Sequence, residues 1–199
     1  MDISFQRTVQ IVAVLLLVLA ATQTIYTGLY IAELEVPRQA LWGLEGLLFT
    51  LLAVFAGVGM VEDRRLALGW SAIAFGAALN VVQVGVGLTL FGPLREAANS
   101  VEALAPVAGA VVAFSFFVYN AAKILIGIAA LSFGLARLRD GATLLGRGAI
   151  AVGVIAIIAN AAVLAMGRGS IIPSPVAGAS GVIATVLLAL CLWGRSRPE

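Results

Sequence analysis

The sequence predicts an all-α fold: a polytopic membrane helical bundle of six transmembrane helices, with both termini on the cytoplasmic side. Three observations predict it. The 199 residues are 62% hydrophobic and 11% charged, against about 25% charged in a soluble domain. Mean hydropathy is +1.10. The apolar residues fall into six runs, each long enough to cross a hydrocarbon core of ~30 Å. A single transmembrane domain over 1–199 accounts for the whole length and leaves no room for a separate soluble domain.

The first run, 8–31, holds the stretch IVAVLLLVLA. With Arg7 before it and Ala20 and Ala21 near its end, it resembles a secretory signal. The expectation is a retained first span. It ends at Glu33-Leu34-Glu35-Val36-Pro37-Arg38, whose charges and proline break the run. The second span, 40–61, ends at Glu62-Asp63-Arg64-Arg65. The third, 66–92, ends at Gly92-Pro93-Leu94-Arg95-Glu96. The connection 93–106 has helix-forming composition between two prolines. It reads either as a short interfacial helix with Glu96 and Glu102 on its wet face or as a plain loop. The fourth span, 107–136, contains Lys123 and stops at Arg137-Leu138-Arg139-Asp140-Gly141. The fifth, 147–167, gives way to a segment rich in Gly, Ser and Pro, and the sixth covers 174–194.

Arginine placement predicts the threading. Arg7, Arg64, Arg65, Arg137, Arg139, Arg147, Arg195 and Arg197 fall on one side. Arg38, Arg95 and Arg168 fall on the other. The arginine-rich side is therefore the cytoplasmic, inner side. Arginine in place of lysine, with abundant Ala and Gly, suggests a GC-rich bacterial genome and hence a bacterial inner membrane.

The chain also resembles itself. Leu68-Gly69-x-x-Ala72-Ile73-Ala74-x-Gly76 recurs as Leu145-Gly146-x-x-Ala149-Ile150-Ala151-x-Gly153. Gly43-x-x-Gly46-x-x-x-Thr50 recurs as Gly178-x-x-Gly181-x-x-x-Thr185. The implied architecture is three parallel helical hairpins. This topology resembles that of mitochondrial carriers. Their Pro-x-Asp/Glu-x-x-Lys/Arg motif is missing from this chain, so no function carries over.

The absent residues exclude chemistry. Without histidine there is no His-ligated haem or zinc and no Ser-His-Asp triad, and one cysteine, Cys191, holds no iron–sulfur cluster. No cofactor and no metal are expected. A net charge of +2 without a basic cluster argues against nucleic acid as a partner.

What remains is the set of polar residues inside apolar spans, which is costly and therefore informative. Glu45 lies 15 residues from the inner boundary at Met60, and Lys123 lies 14 from Arg137. Gln83 and Asn160 lie 13 from Trp70 and Arg147. At ~1.5 Å per residue all four sit ~20–22 Å from the inner side. Thr22, Gln23, Thr24 and Ser180 share that level. Asn80 is three residues inward of Gln83, and Asn120 is three outward of Lys123. The expected site is a polar pocket in the outer half. Glu45 and Lys123 would offset each other's charge. Asn80, Gln83, Asn120, Asn160 and Gln23 would supply amides, and Tyr26, Tyr30, Trp42 and Tyr119 would wall the mouth. Against this stands the reading of the amides as interhelical glue, of the aromatics as an interfacial belt and of Lys123 as snorkelling.

These residues suggest a multi-pass protein that binds or transports a small molecule, a lipid-like ligand or an ion. The alternative is a non-catalytic accessory or scaffold subunit, with a membrane-protein partner or a second copy. A third reading is an enzyme or chromophore protein with Lys123 as a Schiff base and Glu45 as counter-ion. Seven-helix retinal proteins carry their lysine in the last span, whereas this chain carries it in the fourth. The expectation leans away from an enzyme.

Overall fold

Each apolar run becomes a helix, because only a helix satisfies every backbone donor and acceptor within its own segment. The computed structural model describes residues 4–32, 34 and 38–194. Its helices are α1 (Phe5–Ile31), α2 (Gln39–Glu62), α3 (Ala67–Val86), α4 (Gly92–Ser100), α5 (Ala105–Arg139), α6 (Thr143–Met166) and α7 (Ser174–Trp193). Six of the helical stretches are long and apolar enough to cross a membrane. The protein is thus a multi-pass membrane helical bundle. Arg195 and Arg197, part of the expected inner cluster, lie outside the described residues, as does most of the 33–38 connection. Below, the ends of the helices near Arg64, Arg65 and Arg137 are called inner.

The third span does not stop at Gly92 as the sequence suggests. A single π-helical turn, Gly87–Phe91, joins α3 directly to α4. Pro93 is the physical reason. Its ring would clash with the carbonyl four residues back, and it donates no hydrogen bond. The wider π turn just before it relieves both demands, so the helix continues. The break comes at Val101, whose backbone is extended (φ −136°, ψ 100°). Residues 92–100 are therefore helical, but as the continuation of the third span rather than as a separate interfacial helix. Glu96 and Glu102 are exposed, as expected. With 35 residues, α5 is ~52 Å long, well beyond a ~30 Å core. At the inner end α5 turns into α6 through Gly141, whose φ of +85° suits glycine.

The helices close into a ring. α1 packs on α2 and α7, α2 on α3, α3 on α5, α5 on α6, and α6 on α7; α5 also crosses to α7. Without a hydrophobic drive between helices in lipid, small residues set how closely they approach. At the α5–α6 contact two glycine pairs face each other reciprocally. A Cβ on Gly127 would lie 2.8 Å from the Gly153 carbonyl oxygen, and one on Gly153 would lie 2.8 Å from that of Gly127. Gly134 and Gly146 stand in the same relation, at 3.0 and 2.8 Å. On the other flank of α5, Gly69 meets Phe133 and Ser132, and Gly76 meets Ala122, Leu125 and Ile126. The four glycines that clamp α5 from α3 and α6 are those of the two similar nonapeptides. Both copies of that sequence pack against the same central helix.

This seam makes a prediction. Gly153→Leu should destabilise the bundle by about 1–3 kcal/mol, the usual range for overpacking. Gly85→Ala, where a Cβ meets nothing within 4 Å, should leave the melting temperature unchanged or raise it slightly. Thermal unfolding of both variants in detergent checks the contrast.

Candidate functional site

Lys123 is the largest polar side chain sealed inside the bundle, at 1% exposure. It does not snorkel. Its stem runs along α7, where Gly181 makes room: a Cβ there would lie 2.6 Å from the Lys123 Cδ and 2.9 Å from its Cγ. One turn outward, Gly178 makes room for Tyr119, whose hydroxyl would be 3.3 Å from a Cβ. Tyr119 and Lys123, four apart on α5, thus lie over two glycines three apart on α7. The Lys123 Nζ donates to Gln23 Oε1 of α1 at 2.5 Å, a short charge-assisted bond. It also lies 5.1 Å from the Tyr119 ring centroid, within cation–π range.

Glu45 of α2 is likewise buried, at 5% exposure. Its carboxylate lies within electrostatic range of Lys123, while the buried Thr22 hydroxyl of α1 donates to its own helix, to Leu19 O at 3.0 Å. The two charges offset each other without direct contact as an ion pair. Among the described residues the ion pair within 4.0 Å is Arg137–Asp140, at 3.8 Å, and Glu45–Lys123 is not one. Gln23 occupies the lysine instead. The Oε1 of Glu45 is buried with no hydrogen-bond partner. Among the described residues the site therefore holds an acceptor in want of a donor, and an ammonium with one hydrogen bond where it has the capacity for three.

Among the described residues, the predicted amides other than Gln23 do not join this group by hydrogen bonds. Asn80, Asn120 and Asn160 are buried, and each turns its Nδ2 back on its own helix. They donate to Gly76 O (2.9 Å), Phe116 O (2.6 Å) and Ala156 O (2.8 Å). Asn160 also crosses to α7, donating to Ala177 O at 3.1 Å. Half-buried Gln83 reaches Ser115 Oγ of α5 at 3.5 Å, a weak contact. The Oδ1 atoms of Asn80 and Asn160 remain unpartnered. Of the expected residues, Glu45, Lys123, Gln23 and Tyr119 converge with Thr22; the asparagines knit individual helices and the α6–α7 contact. Thr24, at the expected level, turns outward and bonds Ala20 O.

Aromatic layers lie on both sides of the converged group. Outward, Tyr26 and Trp42 rings are 6.0 Å apart, and Trp42 meets Phe91 edge-on at 5.8 Å. The Arg38 guanidinium lies 5.4 Å above the Tyr26 ring. Gly87, in the π turn, gives Trp42 its place against α3. The Tyr30 side chain, expected at this mouth, lies outside the described residues. Inward, fully buried Trp70 stands between Phe5 (6.3 Å) and Phe133 (5.1 Å), edge to face. Its Nε1 donates to buried Asp63 at 3.2 Å, and Gly59 leaves space for the indole. The sequence reading assigned Trp70 to the boundary and Asp63 to a turn. Their spacing of seven residues across the α2–α3 reversal was the available signal for this contact.

Comparison with known protein families, curated proteins and solved structures found no match.

A double-mutant cycle tests the central bond. Gln23→Leu should cost about 1–3 kcal/mol, because it leaves the ammonium buried without an acceptor. In a Lys123→Met background the same change should cost much less. Unfolding free energies of the four proteins in mixed micelles measure the coupling, which should exceed 1 kcal/mol if the bond forms.

Proposed function

We propose that this multi-pass membrane protein binds, and carries across the membrane, a small polar ligand held between Glu45 and Lys123. One observation carries the reading. Two opposite charges are buried in the bundle interior, each short of partners, and they are not directly paired with each other. A purely structural pair would be expected to close and satisfy itself, since unmet polar capacity in a low-dielectric interior is costly. An intramembrane ionisable residue is by default a functional candidate.

The aromatic layers support a carrier. The Tyr26–Trp42–Phe91 layer stands between the charges and the outer side. The Phe5–Trp70–Phe133 layer stands between them and the inner side. Such an arrangement suits a ligand enclosed from both sides, with each layer opening in turn. Arginine-rich composition favours a bacterial inner membrane as the setting.

The protein incubated with a small-metabolite extract of bacterial cells, washed and extracted should yield a retained compound by mass spectrometry. Lys123→Met and Glu45→Gln, each confirmed monodisperse, should lose that compound by at least tenfold. Identical profiles for the three proteins would overturn the reading.

A further inference from the structure

The chemistry of the site narrows the ligand class, granted that the Glu45–Lys123 site binds a ligand at all. We infer that the ligand is a small zwitterion, a molecule carrying a carboxylate and an ammonium group only a few bonds apart.

The first argument is charge. Glu45 and Lys123 sum to zero within one buried group. A ligand with net charge would leave one charge uncompensated in the bundle interior, whereas a zwitterion keeps the whole neutral while answering both. The second argument is the kind of vacant capacity on each side. Glu45 presents an unpartnered buried acceptor, Oε1, which calls for a donor or a cation. Lys123 presents N–H groups beyond the one taken by Gln23, which call for an acceptor or an anion. The two vacancies have opposite sign and belong to groups within electrostatic range of each other, so one molecule with both groups answers them together.

The third argument is the aromatic setting. Tyr119 lies within electrostatic range of both Glu45 and Tyr26. Trp42 stands three residues outward of Glu45 on α2, with its ring against Tyr26. Ring faces attract ammonium groups, above all alkylated ones whose hydration is weak. The Tyr26 face already carries a cation here, the Arg38 guanidinium. The ammonium of the ligand therefore belongs on the Glu45–Trp42 side and its carboxylate on the Lys123–Gln23 side. Size is limited by α7. The space over Gly178 and Gly181 is already filled by Tyr119 and Lys123, so a bulky ligand would have to part α5 from α7.

Equilibrium binding of radiolabelled glycine betaine and alanine to the detergent-solubilised full chain tests this. Choline supplies the ammonium half alone, and propionate the carboxylate half alone. At least one zwitterion should bind saturably, at least tenfold tighter than either half. Glu45→Gln should weaken that zwitterion at least tenfold, and so should Lys123→Met. Glu45→Gln is nearly isosteric and guards against a folding failure in Lys123→Met. Propionate binding as tightly as the zwitterions, or zwitterion binding unchanged in Glu45→Gln, would overturn the class. So would the absence of zwitterion binding. If a Lys123-dependent compound is retained from the metabolite extract while both zwitterions fail, the ligand class is wrong and the site stands. If the extract leaves nothing retained, the site itself fails.

Discussion

An ammonium group held in the interior of a membrane bundle is the constraint on which the rest of this architecture depends. Lys123 has to be shielded from lipid, given an acceptor and balanced by a counter-charge. Each requirement recruits a different helix. α7 withdraws its side chains at Gly178 and Gly181 so that Tyr119 and the lysine stem fit. α1 supplies the acceptor from Gln23. α2 supplies the counter-charge from buried Glu45. Four of the six spans meet around one side chain, which gives the ring of helices a common centre.

Close approach makes that convergence feasible. Lipid offers no hydrophobic gain for one apolar helix meeting another, so contact area and backbone proximity hold the bundle together. The reciprocal glycines of α5 and α6, and those of α3 against the opposite flank of α5, let carbonyl oxygens and α-carbons come almost into contact. α5 is thereby fixed in depth and rotation on two sides. Its Lys123 then has little freedom to turn toward lipid, and its flexible stem lies in a slot rather than reaching for the interface. Asn80 and Asn120 bond the carbonyl four residues back in their own helices, which keeps their amides local, while Asn160 also ties α6 to α7.

The two aromatic layers differ in character. The inner layer is built from Trp70 and Phe133, both fully buried, with Asp63 fixing the indole. The outer layer is built from half-buried rings and leans on Arg38 and on the π turn at Gly87–Phe91. A π turn interrupts the regular ladder and marks a place where a helix changes geometry at low cost. The outer layer is therefore the less tightly packed, and the inner layer the firmer one.

Depth was legible in the sequence, and direction was not. Helix rise is fixed at ~1.5 Å per residue, and apolar runs end where charges and prolines begin. Counting residues was therefore enough to find six spans and to bring Glu45, Lys123 and Gln23 to one level. These helices are apolar almost all round, however, so no stripe of polarity reports which face turns inward. Rotation about each axis is decided by interhelical packing. That is why Gln23, rather than Glu45, touches the lysine, why Thr24 is exposed while Thr22 and Gln23 are buried, and why three asparagines at the right height bond to backbone carbonyls rather than to the lysine. The π turn that carries the third span past Pro93 was hidden for a related reason, since proline ordinarily signals a break and only the local backbone shows it accommodated. The sequence by itself determined that this is a six-span membrane bundle with several polar groups at a common depth. Only the tertiary structure decided which of those polar groups meet, because in a membrane the small residues of neighbouring helices, and not water, set how each helix is turned.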